Sequence, residues 1–276
     1  LTQDDGGEYT MGMAYLAAWE GPVYEADDPY GDNKTNPDLT AVKHVQEMQI
    51  IDGKDYEKIK ESVFLYGGVQ TSIYNGLRSS QSKSPYYNQK TNSYCYIGTE
   101  KPNHDVVIIG WDDSYSKENF NVDLEGDGAF ICQNSWGDDF GDNGIFYVSY
   151  EDQSLSNLVC NTATTSPEYP NNYFYDGATT STVTFPFKTG YSIANIFTAN
   201  AGNGHYEELG EIVTASKADA SSYLIQVYTE LSDPADPTSG VPAFDEPFEY
   251  TQPLAGIDTV TLPEPVLLTP GSQYSV

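Results

Sequence analysis

His104 and Asn134 are the residues whose types and spacing point to chemistry. His104 opens an apolar run, residues 106–109, that ends at Gly110. Thirty positions on, Asn134 closes a second apolar run, residues 129–132, and Ser135, Trp136 and Gly137 follow it. Short β-branched runs bounded by Gly and Asp are the pattern of buried strands. One strand thus starts with an imidazole, the next ends with a carboxamide, and a sheet can set the two side by side. A carboxamide oxygen that accepts a bond from the ring fixes which nitrogen carries the proton. The other nitrogen is then free to work on a nucleophile. The indole of Trp136 is placed to cover that bond and keep water off it.

Several elements must position this pair. Asp55 reads as an N-cap ahead of a helix over residues 56–65. Ile59, Val63 and residues 64–66 form its buried side, and Gly67-Gly68 ends it. Residues 69–74 continue as a strand. Residues 84–96 are a Tyr-rich loop leading to His104. Nearer the start, Met11, Ala14, Tyr15, Ala18 and Trp19 recur at three- and four-residue steps. That spacing predicts a helix with one apolar face, stopped by Gly21-Pro22. Residues 25–40 are a loop rich in Asp, Pro, Gly and Asn, and a short strand over residues 41–50 follows. His44, inside that strand, is read as structural or solvated.

From about Thr162 the texture changes to Ser, Thr, Asn, Gly and Pro. Short alternating runs appear at 182–187, 192–199, 223–229 and 259–262, separated by turn signals. This is the pattern of an all-β sandwich. The expected fold class is α+β, with residues 1–162 as one domain and 163–276 as a second, β-sandwich domain. His205 is read as a surface residue.

Composition narrows the function classes. The 276 residues carry 41 acidic against 12 basic side chains, a net charge of -29. Nucleic acids and anionic membrane surfaces both demand Lys and Arg, so neither is expected as a partner. Aromatic residues make up 13%, with 23 Tyr, which argues against a disordered chain. No run of eighteen apolar residues occurs, so no membrane span is expected in this stretch. Cys95, Cys132 and Cys160 are scattered without a paired framework. Cys132 is expected to pack as a small hydrophobe. A reactive thiol needs a helix N-terminus or a neighbouring imidazolium. The Ser-Tyr-Cys-Tyr-Ile setting of Cys95 suggests a strand, so Cys95 is not expected to be a nucleophile. Residues 123–128, Asp-Leu-Glu-Gly-Asp-Gly, resemble the first half of a calcium loop, but Asn134 stands where the closing Glu belongs. They are read as an acidic turn; no metal and no cofactor are expected.

Asn103-His104 with residues 106–111, then Asn134-Ser135-Trp136-Gly137 with residues 141–148, resemble the papain-like cysteine proteases in order and spacing. Phe140 stands where that family usually shows a second Trp. The resemblance implies a half-barrel sheet with packed helices. It makes His104 the catalytic base and acid and Asn134 its orienting partner. It also assigns Gly6, Gly7, Asn103 and Trp136 to substrate contact, and implies a peptide or protein substrate. In that family the catalytic Cys lies about 130–150 residues before the His and Asn. The nucleophile is therefore expected outside these residues, and the 276-residue stretch alone is expected to be inactive. Residues 163–276 resemble, by texture and order, the lectin-like β-sandwich that follows some bacterial papain-like domains. The expectation is a secreted or cell-surface bacterial cysteine peptidase. The alternative is a non-catalytic pseudo-protease that binds glycan or cell surface through its β-sandwich.

Overall fold

The computed structural model describes residues 6–31, 34, 36, 38–76, 84–164, 169–175, 192–200 and 204–276. In chain order its elements are α1 (Tyr9–Ala17), β1 (His44–Ile51), α2 (Tyr56–Tyr66), β2 (Val69–Ile73), β3 (Tyr87–Asn88) and β4 (Ser93–Tyr94). There follow β5 (His104–Asp112), β6 (Ala129–Gln133), β7 (Ile145–Ser149), β8 (Ser156–Thr164), β9 (Ile196–Thr198) and β10 (Glu207–Ser216). The last are β11 (Ser221–Ile225), β12 (Tyr228–Thr229), β13 (Val241–Pro242), β14 (Phe248–Gln252), β15 (Gly256–Leu268) and β16 (Gln273–Ser275). The structure divides into two compact units, residues 49–162 and residues 1–48 with 163–276.

The first of these units is a sheet in the order β8-β2-β5-β6-β7-β4-β3, with α2 packed against it. β2, β5, β6 and β7 pair antiparallel in succession. The apolar runs at 106–109 and 129–132 are neighbouring strands, with Ile108 opposite Cys132. Their inward side chains, among them Val106, Ile108, Phe130 and Cys132, share one core with Ile59, Val63, Val69, Phe146 and Val148. α2 starts where its cap predicts, since the Asp55 carboxylate accepts the Lys58 N–H at 3.1 Å. It stops at Gly67, whose φ of 91° is a left-handed conformation that glycine adopts without a Cβ penalty. The last turn departs from expectation. Phe64, Leu65 and Tyr66 are 80%, 57% and 44% exposed. Ile59 and Val63 lie four residues apart on the stripe that meets the sheet, and the helix turns Phe64 and Leu65 off it; Tyr66, three residues past Val63, is the least exposed of the three.

In the other unit α1 ends at Ala17, and none of its residues is fully buried. Tyr15, placed on its apolar face by spacing, is 50% exposed. β1 begins at His44, three residues later than the pattern of residues 41–50 suggests. His44 is a structural residue: its ring stacks on Trp19, centroids 4.1 Å apart, while the indole N–H donates to the Val45 carbonyl. Among the described residues the regular structure of the remainder is all β. β10 pairs with β15 and β11 with β14, both antiparallel, and β13-β12-β16-β9 form a four-stranded sheet. Phe197, Ile212, Ile225, Val260, Leu268 and Tyr274, drawn from all these sheets, make one core. Of the expected strands, residues 182–187 lie outside the described residues. The run at 223–229 is two strands, because the Gln226 side chain bonds the backbone of Val227 and Phe244 where a ladder would continue. The run at 259–262 is the middle of the longer β15, while β10 and β14 were not anticipated.

Candidate active site

His104 is the first residue of β5 and stands opposite Ile73, the last of β2. The backbone just before it is clamped. The Asn103 N–H donates to the Ile73 carbonyl at 3.0 Å, and the Asn103 carboxamide accepts the Asn75 N–H at 2.7 Å and donates to the Asn75 carbonyl. The Asn103 side chain therefore fixes the strand end that carries His104.

Asn134 lies one residue past β6, with its own N–H bonded to the Gly144 carbonyl. Its side-chain Oδ1 is 2.8 Å from His104 Nε2 and also accepts the Ser135 N–H at 2.8 Å. An atom that accepts a backbone N–H is the carbonyl oxygen of the amide, and it cannot donate to the ring. Nε2 must then carry the proton, which leaves Nδ1 as the basic nitrogen. The sequence pattern gave the pair; the Ser135 bond that sets its polarity was not legible there.

Asn134 is only 8% exposed. The Trp136 ring sits 5.0 Å from the imidazole, tilted by 38°. Phe140 meets Trp136 edge-on at 5.1 Å and stacks on Tyr87 at 5.4 Å. A phenyl ring thus suffices at the position of the expected second indole. The loop returns to β7 through Gly141, where φ is 63° and an added Cβ would overlap the Ile145 carbonyl. Beside the pair lies a small, open depression lined by Ile73, Asn75, Tyr87, Tyr94, His104, Asn134, Trp136, Phe140 and Phe146.

No thiol lines that depression. Cys95, Cys132 and Cys160 are all fully buried. Burial, then the Asp152 charge, pushes the Cys95 thiol up to about 12. The same causes push Cys132 well above the usual thiol range. Gly6 and Gly7 are exposed residues ahead of α1, and His205 is exposed in a loop of the same unit. The acidic stretch 123–128 is a turn held by a distant side chain: the Glu151 carboxylate accepts the Glu125 and Gly126 N–H groups.

Residues 3–167 match the papain family cysteine proteases, more than half of the chain. The chain belongs to that family. Two solved structures share its fold over 100% of its length. One is the clostridial cysteine protease Cwp84 after propeptide cleavage, at 23% identity and a TM-score of 0.80, of which the chain covers 67%. The other is the cysteine protease and lectin-like domains of Cwp84, a surface layer associated protein of Clostridium difficile, at 22% identity and a TM-score of 0.76, of which it covers 59%. No curated protein resembles the chain closely enough to count as a match. The fold is papain-like, mostly β with two helices among the described residues. None of those residues forms a helix long and apolar enough to cross a membrane.

Proposed function

We propose that this chain serves a cysteine peptidase of the Cys-His-Asn type, its thiolate supplied by polypeptide outside the 276 residues. The single observation that carries the reading is the 2.8 Å bond from His104 Nε2–H to Asn134 Oδ1. It leaves Nδ1 to take the proton of an incoming thiol. The thiolate then attacks a peptide carbonyl, and the C–N bond breaks as Nδ1–H protonates the leaving amine. Water, deprotonated by the same nitrogen, releases the acyl group and restores the thiol. Asn134 holds the ring through both halves, and Trp136 keeps water from the bond. In this reading Asn103 and Trp136 border the peptide substrate. Residues 1–162 are the peptidase domain and 163–276 a lectin-like module directed at glycan on a secreted or cell-surface protein. The fold shared with the cysteine protease and lectin-like domains of Cwp84, a surface layer associated protein, supports that assignment.

The test joins the thiol-bearing segment to this chain and assays peptide hydrolysis. Activity should be abolished by a thiol alkylator and by His104→Ala, a loss on the order of 10²–10⁴-fold. Asn134→Ala should lower it less, because packing supplies part of the orientation. Full activity in the His104→Ala protein would remove His104 from the mechanism.

A further inference from the structure

Residues 169–175 carry an exposed aromatic ring that the peptidase mechanism does not use. Tyr175 is 67% exposed, yet its ring is stacked on Phe197, with centroids 4.8 Å apart and 22° between planes. Phe197 lies on β9 and shares a core with Ile212, Val260 and Tyr274. One face of the Tyr175 ring is therefore backed by the core, and the other is open. The segment that delivers the ring is pinned along its length. The Tyr169 ring lies over Gly210 of β10, where an added Cβ would meet its hydroxyl at 2.8 Å. Asn171 Nδ2 donates to Glu207 Oε1, and Asn172 Nδ2 donates to the Ala17 carbonyl at 2.9 Å. The Tyr173 hydroxyl donates to Glu207 Oε2 at 2.6 Å, while its ring meets Tyr274 edge-on at 5.7 Å. The Asn200 N–H, just past β9, donates to the same Oε2 at 2.8 Å. A single exposed aromatic on a loose loop is ordinary protein surface. A ring backed by the core, on a segment fixed by its neighbours, is a preorganised platform, and a ligand that stacks on it orders little further.

We propose that the open face of Tyr175 is a stacking platform for a neutral pyranose ring with equatorial hydroxyls, of the glucose or N-acetylglucosamine type. The inference rests on the lectin-like reading of residues 163–276 and names a site within it. On such a sugar the axial C–H bonds of each ring face form a flat, weakly positive surface. The negative face of an aromatic ring attracts that surface, and the two planes pack with little distortion. A net charge of -29 disfavours uronic and sialic acids. Cations are the other natural partners of an aromatic face. The Glu207 carboxylate, which would favour one, already accepts donors at both oxygens, and this weakens its pull.

The 276-residue chain is titrated with cellotriose, triacetylchitotriose, trigalacturonate and tetramethylammonium, followed by NMR and calorimetry. At least one neutral trisaccharide should bind with a Kd of about 1 mM or tighter. Trigalacturonate should bind roughly tenfold more weakly or not at all. Tyr175→Ala should weaken binding of the neutral sugar roughly tenfold, whereas Tyr175→Phe should retain it, because stacking needs the ring and not the hydroxyl. Tyr175→Leu, which still covers Phe197 but has no aromatic face, should lose binding as Tyr175→Ala does. Asn171→Ala, which frees the segment from Glu207, should weaken binding partway. Thermal melts of the Tyr175 variants should match the wild type, since the residue is largely exposed. Sugar binding unchanged in Tyr175→Ala or Tyr175→Leu overturns this site and leaves the lectin-like reading standing. Tighter binding of trigalacturonate or tetramethylammonium overturns the assigned ligand class. Failure of every saccharide to bind overturns the site and counts against the lectin-like reading as well.

Discussion

Alkylation of the three cysteines tests where the nucleophile resides. An ordinary thiol has a pKa near 8.5, so about a quarter of it is thiolate at pH 8. With its pKa at about 12, Cys95 is thiolate to roughly one part in 10⁴. The more basic thiolate is intrinsically more nucleophilic, with a Brønsted slope of about 0.4–0.5, which returns between one and two powers of ten. What remains is a rate about 50–100-fold below that of an ordinary exposed thiol. Complete burial of Cys95 slows it further, since the reagent must wait for local opening. Cys132 and Cys160 are equally enclosed. Iodoacetamide labelling at pH 8, read by mass spectrometry, should leave all three unmodified while an exposed reference thiol is consumed. In about 6 M guanidinium all three should react at ordinary rates. Rapid labelling of any one of them in the folded chain at pH 7 would refute the reasoning. It would place a candidate nucleophile within these residues.

Three further outcomes are expected. Stability should fall as pH rises above about 9, because Cys95, Cys132, Tyr94 and Tyr274 all have folded pKa values raised by burial. Such groups lose protons first in the unfolded state, so their contribution is complete below the unfolded pKa and is lost above it; thermal melts between pH 8 and 11 check this. Asp152→Ala should cost about 3 kcal/mol, because the buried carboxylate accepts the N–H groups of Tyr96, Ser154 and Leu155 and the Ser154 hydroxyl. Burial also raises the Asp152 pKa, so its contribution is largest below about pH 4 and shrinks as pH climbs through the folded value. Denaturant melts should show a wider gap between wild type and variant at pH 4 than at pH 7. Gly141→Ala should cost at least about 2 kcal/mol, from the left-handed backbone together with overlap on the Ile145 carbonyl. NMR should then show the Trp136 loop displaced, and unchanged Trp136 and His104 signals would count against that loop as the support of the pair.

The strand that begins at His104, the strand that ends before Asn134 and the cap and stop of α2 follow from local patterns: apolar runs of strand length, an Asp at N-cap, a Gly after the last turn. These are properties of a few adjacent residues, so the sequence by itself determines them. The pairing of His104 with Asn134 was legible because both stand at strand ends, where a single register brings their side chains together. Other features depend on partners distant in the chain. Phe64 and Leu65 are as apolar as Ile59 and Val63, and only the side on which α2 meets the sheet decides which of them face outward. Trp19 and His44, separated by a loop, become a stacked pair only once β1 is placed. The polarity of the His104–Asn134 hydrogen bond hangs on the Ser135 N–H, and the Asn157–Ser72–Asp105 contacts on a bulge in β8, some fifty residues from Asp105. Local composition encodes which elements form; which side chain meets which is set by register, bulge and crossing angle, and these exist only when the strands have come together.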